Sequence, residues 1–131
     1  GAARRGVDVR LVLPAPRRES VAFRFAGRRH YGSLLAAGVR IFEFLPSFLH
    51  AKYAVVDAWG CVGSSNLGNW SGRFNHEADL ELRSSRPLAA LAARFRADAR
   101  AGREITRERW ERRAAWIRVM ERVFGWIDPL L

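Results

Sequence analysis

The sequence has a single cysteine, Cys61, so no disulfide can form within the chain, and its apolar neighbours indicate ordinary burial. That usage fits a reducing compartment. No uninterrupted apolar run approaches the ~20 residues that a membrane-spanning helix needs. Arg4 and Arg5 open the chain, but no apolar stretch follows them in the manner of a signal peptide. There is no internal repeat and no low-complexity linker. Acidic residues are scarce, 13 against 23 basic ones. Lysine is scarcer still: Lys52 is the only one.

What is present is a chain of 131 residues with 49% hydrophobic content, enough for one compact domain with a single core. The formal net charge of +10 suits polyanionic partners such as nucleic acid, anionic lipid headgroups or phosphorylated small molecules. An arginine-favouring genome would produce the same excess with no partner at all, and composition does not separate the two. Against that arginine background a lone lysine stands out, because an ammonium is a compact point charge and a guanidinium a planar fork. Gly1 to Arg5, without an initiator methionine, reads as the tail of a helix already under way. The expectation is a piece of a longer protein.

Along the chain, Val7 to Leu13 alternates apolar and polar residues up to Pro14 and predicts a strand. Pro14 to Ser20 is a loop. Val21 to Ala37 predicts a helix with Phe25, Leu34 and Leu35 inward, terminated by Gly38. Strands are predicted over Val39 to Phe44, Leu49 to Val56, Cys61-Val62 and Ala78 to Leu82, with a turn at Pro46-Ser47. Pro87 to Ala101 predicts a helix with Ser85 as its N-cap, Gly102 breaks it, and Thr106 caps a second running to about Phe124. This order predicts an α/β fold, one mixed sheet flanked by helices.

The chemistry-bearing residues lie between positions 50 and 77. On a strand, His50 and Lys52 point the same way, ~7 Å apart, and can grip opposite sides of one phosphate. Asp57, an odd number of positions on, faces away if the strand is straight. Gly63-Ser64-Ser65-Asn66 then supplies a turn, hydroxyls and an amide, neutral donors suited to charge on phosphate oxygens. Asn69 and Asn75-His76-Glu77 follow, and a carboxylate near an imidazole fixes its tautomer and raises its basicity.

The pattern His50-x-Lys52-x4-Asp57 followed by Gly63-Ser64-x-Asn66 resembles the signature of the phospholipase D superfamily. Five residues separate Asp57 from Gly63, where that family usually has six. The resemblance extends to Gly6 to Arg10, Leu34 to Ile41, Asn66 to Asn69 and Ser71 to Glu77, all similar to bacterial cardiolipin synthases. Those enzymes usually have aspartate where Gly68 stands and arginine where Trp70 stands, departures that bear on substrate more than on reaction type. The aromatic-basic ending and Pro129-Leu130-Leu131 resemble the C-terminus of the same group, which places the chain as a second half-domain, with 86–131 a helical extension.

The resemblance implies a phospholipase D-like half-domain and a membrane-associated phosphatidyltransferase of phospholipid biosynthesis. Hydrolase and nuclease are the alternatives within the superfamily, and an inactive lipid- or partner-binding half-domain is the non-enzyme alternative. It implies that His50 is general acid and base, that Lys52 and Asn66 bind phosphate oxygens with help from Ser64, that Glu77 orients His50, and that Asp57 is structural. It implies no cofactor and no metal. The implied partners are a phospholipid such as phosphatidylglycerol, an anionic membrane surface, and an N-terminal half-domain or second copy that completes the site. Nucleic acid ranks below these, and the implied location is peripheral, on the cytoplasmic side of the cell membrane.

Glu77 also reads as a surface partner for an arginine, and His30 and His76 as ordinary polar residues. Arg28 and Arg29 fit lipid phosphates or a solvated helix face equally. In the last helix, Trp110, Trp116, Ile117, Met120, Val123, Phe124 and Trp126 interleave with arginines. That pattern suits a membrane interface, a core-facing helix, or packing on a missing half.

Overall fold

A computed structural model describes residues 1–15, 28–65 and 76–125, with side chains up to Glu121. Phe25, Asn66, Gly68, Asn69, Trp70, Asn75 and Trp126, singled out above, lie outside the described residues, as does most of the loop expected from Pro14 to Ser20. The chain divides into two compact units. Gly1–Leu49 and the described residues from Ala99 form one, and His50–Asp98 the other. The fold is mixed α/β as expected, with two three-stranded sheets in place of one.

The first unit opens with a 3-10 turn, Ala3–Arg5, closed by Gly6 at φ 88°. Strand β1 (Arg10–Pro14) runs parallel to β2 (Arg40–Phe44), with Leu11 opposite Ile41. A parallel pair requires a long crossover, and helix α1 (Tyr31–Ala36) lies within it. Gly38 terminates α1 as expected: at φ 89° it lets the Val39 amide reach the Leu34 carbonyl at 3.0 Å. Pro14 ends β1, an edge strand, where a missing N–H costs no ladder bond.

The sheet's third strand, β6 (Gly102–Ile105), pairs antiparallel with β2. Its residues were read as a helix break, because Gly-Arg-Glu-Ile is too short and too charged to announce a strand. Its charges are used across the sheet. Arg103 lies opposite Glu43 and donates to its Oε2 at 2.8 Å, and Arg40 pairs with Glu104 at 2.8 Å.

The helix expected from Thr106 to Phe124 is two helices, α3 (Arg107–Glu111) and α4 (Ala115–Gly125). Thr106 is the N-cap, accepting from the Arg109 amide at 3.2 Å. The break lets Trp110 turn inward while Trp116 stays 59% exposed. Trp110 stacks against Tyr31 with ring centroids 5.3 Å apart, and its indole packs on Gly32, where an added Cβ would lie 3.1 Å from the indole nitrogen. Tyr31, Val39, Ile41, Ile105 and Trp110 form the core of this unit, flanked by Leu11, Leu13, Leu34 and Leu35. Each buried side chain contributes about 1.5–3 kcal/mol.

Glu43 is fully buried on the same sheet face as Ile41. Arg28 reaches its other oxygen at 3.2 Å, so two guanidiniums share one carboxylate. Arg28 is therefore an interior cation rather than part of a solvated face. Its guanidinium also lies 5.2 Å from the Trp110 ring centroid.

The second unit is an antiparallel meander of β3 (Tyr53–Val56), β4 (Trp59–Gly63) and β5 (Asp79–Leu82). Helix α2 (Ser85–Ala101) begins at the residue expected to cap it, and the Leu88 amide donates to the Ser84 carbonyl at 3.2 Å, so the cap moves back to Ser84. The helix packs Leu88 and Leu91 over Gly60, where a Cβ would meet Leu88 at 2.7 Å. Among the described residues no helix is long and apolar enough to cross a membrane.

Glu43→Ala leaves Arg28 without its carboxylate and is expected to cost about 3–5 kcal/mol in a urea melt. Arg103, nearly half exposed, should cost about 1 kcal/mol when replaced by alanine. Equal losses would contradict a buried carboxylate as the centre of the pair.

Candidate functional site

Every described candidate residue falls in the second unit. His50 and Lys52 were expected on a strand, but β3 starts only at Tyr53, and the Leu49–Lys52 segment belongs to no helix or strand. One ladder bond reaches back into it: the Gly63 amide donates to the Lys52 carbonyl at 3.0 Å. This ties the His-x-Lys segment to the start of the Gly63-Ser64 turn. Lys52 Nζ lies 3.0 Å from the carbonyl oxygen of His50, so the ammonium folds back over the His50 main chain. His50 is exposed and Lys52 half-buried. An imidazole and an ammonium from adjoining positions thus stand at one end of the β3–β4 hairpin.

The residue after Lys52 anchors that end. Tyr53 donates its hydroxyl to Asp98 at 3.0 Å and meets the Phe95 ring edge-on at 6.2 Å. Asp98 is buried and also receives Arg94 at 2.9 Å. Burial, with the Asp98 carboxylate beside it, pushes the Tyr53 phenol up to about 12. Tyr53 therefore stays protonated and holds the strand to α2. The sequence offered no signal for this brace, because Asp98 lies in an arginine- and alanine-rich helix of unremarkable periodicity.

Across the hairpin, the Gly63-Ser64-Ser65 turn is held by β5 and the residues before it. The Ser64 amide donates to the Ala78 carbonyl at 3.1 Å, and the Ala78 amide donates back to Ser64 Oγ at 3.0 Å. Ser64 Oγ donates to Glu77 Oε2 at 2.5 Å, so these two candidates are brought together. Ser65 donates to Asp79 through its amide and its hydroxyl, which holds the exposed Asp79 carboxyl below its ordinary value. Asp79 lies in the strand predicted over Ala78 to Leu82, where the sequence pattern assigned it no role of its own. Gly63 is required here by contact, since any Cβ would overlap the Asp79 carboxylate and the Ala78 carbonyl.

Asp57 stands apart from this group. It occupies the two-residue turn between Val56 and Trp59, at φ 49°, so its expected orientation by strand parity does not apply. Five residues of rise put it roughly 16 Å along the hairpin from Lys52. A short polar residue tolerates the left-handed conformation that such a turn demands.

The match to a family of known proteins covers most of the chain: residues 1–99 fit the model described as "Cardiolipin synthase, PLD-like domain". Cardiolipin synthase A of Erwinia tasmaniensis is 38% identical over 132 residues, 99% of this chain and 27% of that protein. Cardiolipin synthase A of Buchnera aphidicola is 34% identical over 134 residues, again 99% of this chain and 27% of the relative. Cardiolipin synthase 2 of Bacillus anthracis is 32% identical over 131 residues, with 25% of it covered. The chain thus spans about a quarter of the length of these curated relatives. No solved structure matches it significantly.

Asp57→Gly should leave the melting temperature near that of the parent, whereas Asp57→Val should cost about 1–2 kcal/mol, the strain of a branched residue at positive φ. Equal stability in both would place the turn elsewhere. For Tyr53 the folded value lies above the ordinary 10.0, so its contribution is fully present below pH 10.0 and is lost as pH rises toward about 12. Melts followed through that window should fall more steeply for the parent than for Tyr53→Phe.

Proposed function

The chain belongs to the family of phospholipase D-like domains of cardiolipin synthases, and on that premise we propose that it is one catalytic half of a phosphatidyltransferase. The reaction exchanges one alcohol for another on a phospholipid phosphodiester. The observation that carries the reading is the joining of His50-x-Lys52 to the Gly63-Ser64 turn by the Lys52–Gly63 main-chain bond, within a chain matched along 99% of its length by cardiolipin synthases.

The chemistry asked of these residues follows from their types. A histidine of the complementary half attacks phosphorus, and the leaving glycerol oxygen takes a proton from His50. A phosphohistidine results. His50, now neutral, removes the proton from the incoming alcohol, whose oxygen attacks phosphorus and releases the first histidine. Lys52 places a full positive charge beside oxygens that gain negative charge in both steps. Glu77, fixed by Ser64, holds a carboxylate at the turn and orients His50, and Asn66 supplies an amide donor to the same phosphate.

A single His-Lys set is half of this mechanism. The complement is an N-terminal half-domain or a second copy of the chain. Leu45 and Phe48, which immediately precede the motif, are 46% and 51% exposed, apolar surface of the kind a partner half covers. Phosphatidylglycerol in an anionic bilayer is the proposed substrate, approached from the cytoplasmic side. Trp116 and Val119 on α4 are exposed among arginines, which suits the headgroup layer.

In the full-length protein, His50→Ala should lower turnover of phosphatidylglycerol vesicles at least about a thousandfold, with Lys52→Ala comparably affected and both variants still folded. Appearance of cardiolipin identifies the transferase, and phosphatidic acid alone a hydrolase. Cleavage of DNA with no lipid turnover would overturn the assignment.

A further inference from the structure

The first unit contains a cavity of about 250 Å³ whose walls carry four guanidiniums, from Arg28, Arg103, Arg109 and Arg113. None belongs to the His-x-Lys motif or its turn. We propose that this cavity is a binding site for a phosphate-bearing anion, a glycerol phosphate group either free or at the head of a lipid.

Charge points to this ligand. Arg28 and Arg103 share one carboxylate, Glu43, and Arg113 is paired with Glu121 at 3.1 Å. Arg109 has no ion-pair partner among the described residues. Four cations therefore stand against two carboxylates, and the excess of two matches the charge of a phosphomonoester, about −1.5 to −2 at neutral pH. Each carboxylate is ion-paired to a guanidinium, so neither leaves an uncompensated negative charge for a cation, while Glu43 Oε1 and Glu121 Oε1 are themselves buried without a hydrogen-bond donor among the described residues.

An independent observation concerns a donor. Arg28 Nε is buried and has no acceptor among the described residues. A buried donor without an acceptor is costly, and an anionic oxygen is the partner that relieves it most. Size agrees as well. The space is many times the ~10–15 Å³ that a single ordered water needs on the same measure.

The remaining wall is apolar and aromatic. Ile105 and Ile117 line it beside Trp110, over whose ring the Arg113 guanidinium lies at 3.7 Å. That guanidinium already donates through Nε to Glu121 at 3.1 Å and through Nη1 to the Trp110 carbonyl at 2.6 Å, so it is fixed in place as part of the wall. Ile117 belongs to α4, the helix that exposes Trp116 and Val119, so one helix carries both a wall of the cavity and an apolar outer face.

The test uses the full-length protein labelled with 5-fluorotryptophan, the Trp110 resonance being assigned with Trp110→Phe. Added sn-glycerol 3-phosphate should shift that resonance saturably. Arg109→Ala should weaken the binding at least about tenfold, the worth of one charge-assisted contact. Lys52→Ala should leave it unchanged, because Lys52 is not in the cavity. Calorimetric titration of the parent and Arg109→Ala gives the same comparison without the label. In a second arm, a shift of the resonance by vesicles containing phosphatidic acid, a lipid phosphomonoester, but not by phosphatidylcholine vesicles identifies the ligand as a headgroup. A response to the soluble ester alone identifies a free phosphate ester. The proposal is overturned if neither ligand moves the resonance, or if binding survives Arg109→Ala and disappears in Lys52→Ala. That last result would leave the catalytic reading standing and this one refuted.

Discussion

The first unit depends on one buried carboxylate. Glu43 sits on β2, which is flanked on both sides by strands among the described residues, and no solvent reaches it. A charge in that position is tolerable only if opposite charge comes to it, and it comes from Arg103 on β6 and from Arg28 before α1. Each of those long side chains must cross apolar surface to arrive, and Arg28 does so against Trp110 and Tyr31. The pairing therefore selects β6 as the third strand and sets Trp110 against α1. An apolar residue at position 43 would pack as well, yet would leave β6 with no specific reason to align its arginine there.

The second unit solves a different problem, that of holding polar, exposed residues in a defined place without a large core. Its answer is main-chain bonding. Lys52 is tied to Gly63, Ser64 to Ala78 in both directions, and Ser65 to Asp79. Gly63 permits the approach because it has no side chain to obstruct it. At the other side Tyr53 pins β3 to the buried Asp98 of α2. The candidate residues ride on this frame, so their positions are controlled by backbone geometry more than by side-chain packing. That suits a site whose donors must already be in place when charge develops on phosphate.

The candidate residues were legible without coordinates, because their pattern is written in short spacings. His50, Lys52, Ser64 and Glu77 are all within 28 positions, and the two halves of the motif meet through a simple hairpin. The α/β class, the β1–α1–β2 order and the Gly38 terminus were legible for the same reason: periodicity and turn chemistry are local. Three features were not. Strand β6 has four residues and two charges, Trp110 and Trp116 share one aromatic-basic pattern yet differ in burial, and Asp57 is a turn residue that strand parity misplaced.

The amino-acid sequence by itself determined the family, the motif and the residue types proposed to meet phosphate, since these follow from side-chain chemistry at fixed spacing. Tertiary structure alone decided which charges are interior. Arg28, Glu43, Arg113 and Glu121 look like ordinary surface residues in a chain with 23 basic positions, and only folding shows which carboxylates are buried and which arginines reach them. The physical reason is range. Propensity, capping and strand alternation act over a few residues, whereas the cost of burying a charge is set by partners as far apart as positions 43 and 103.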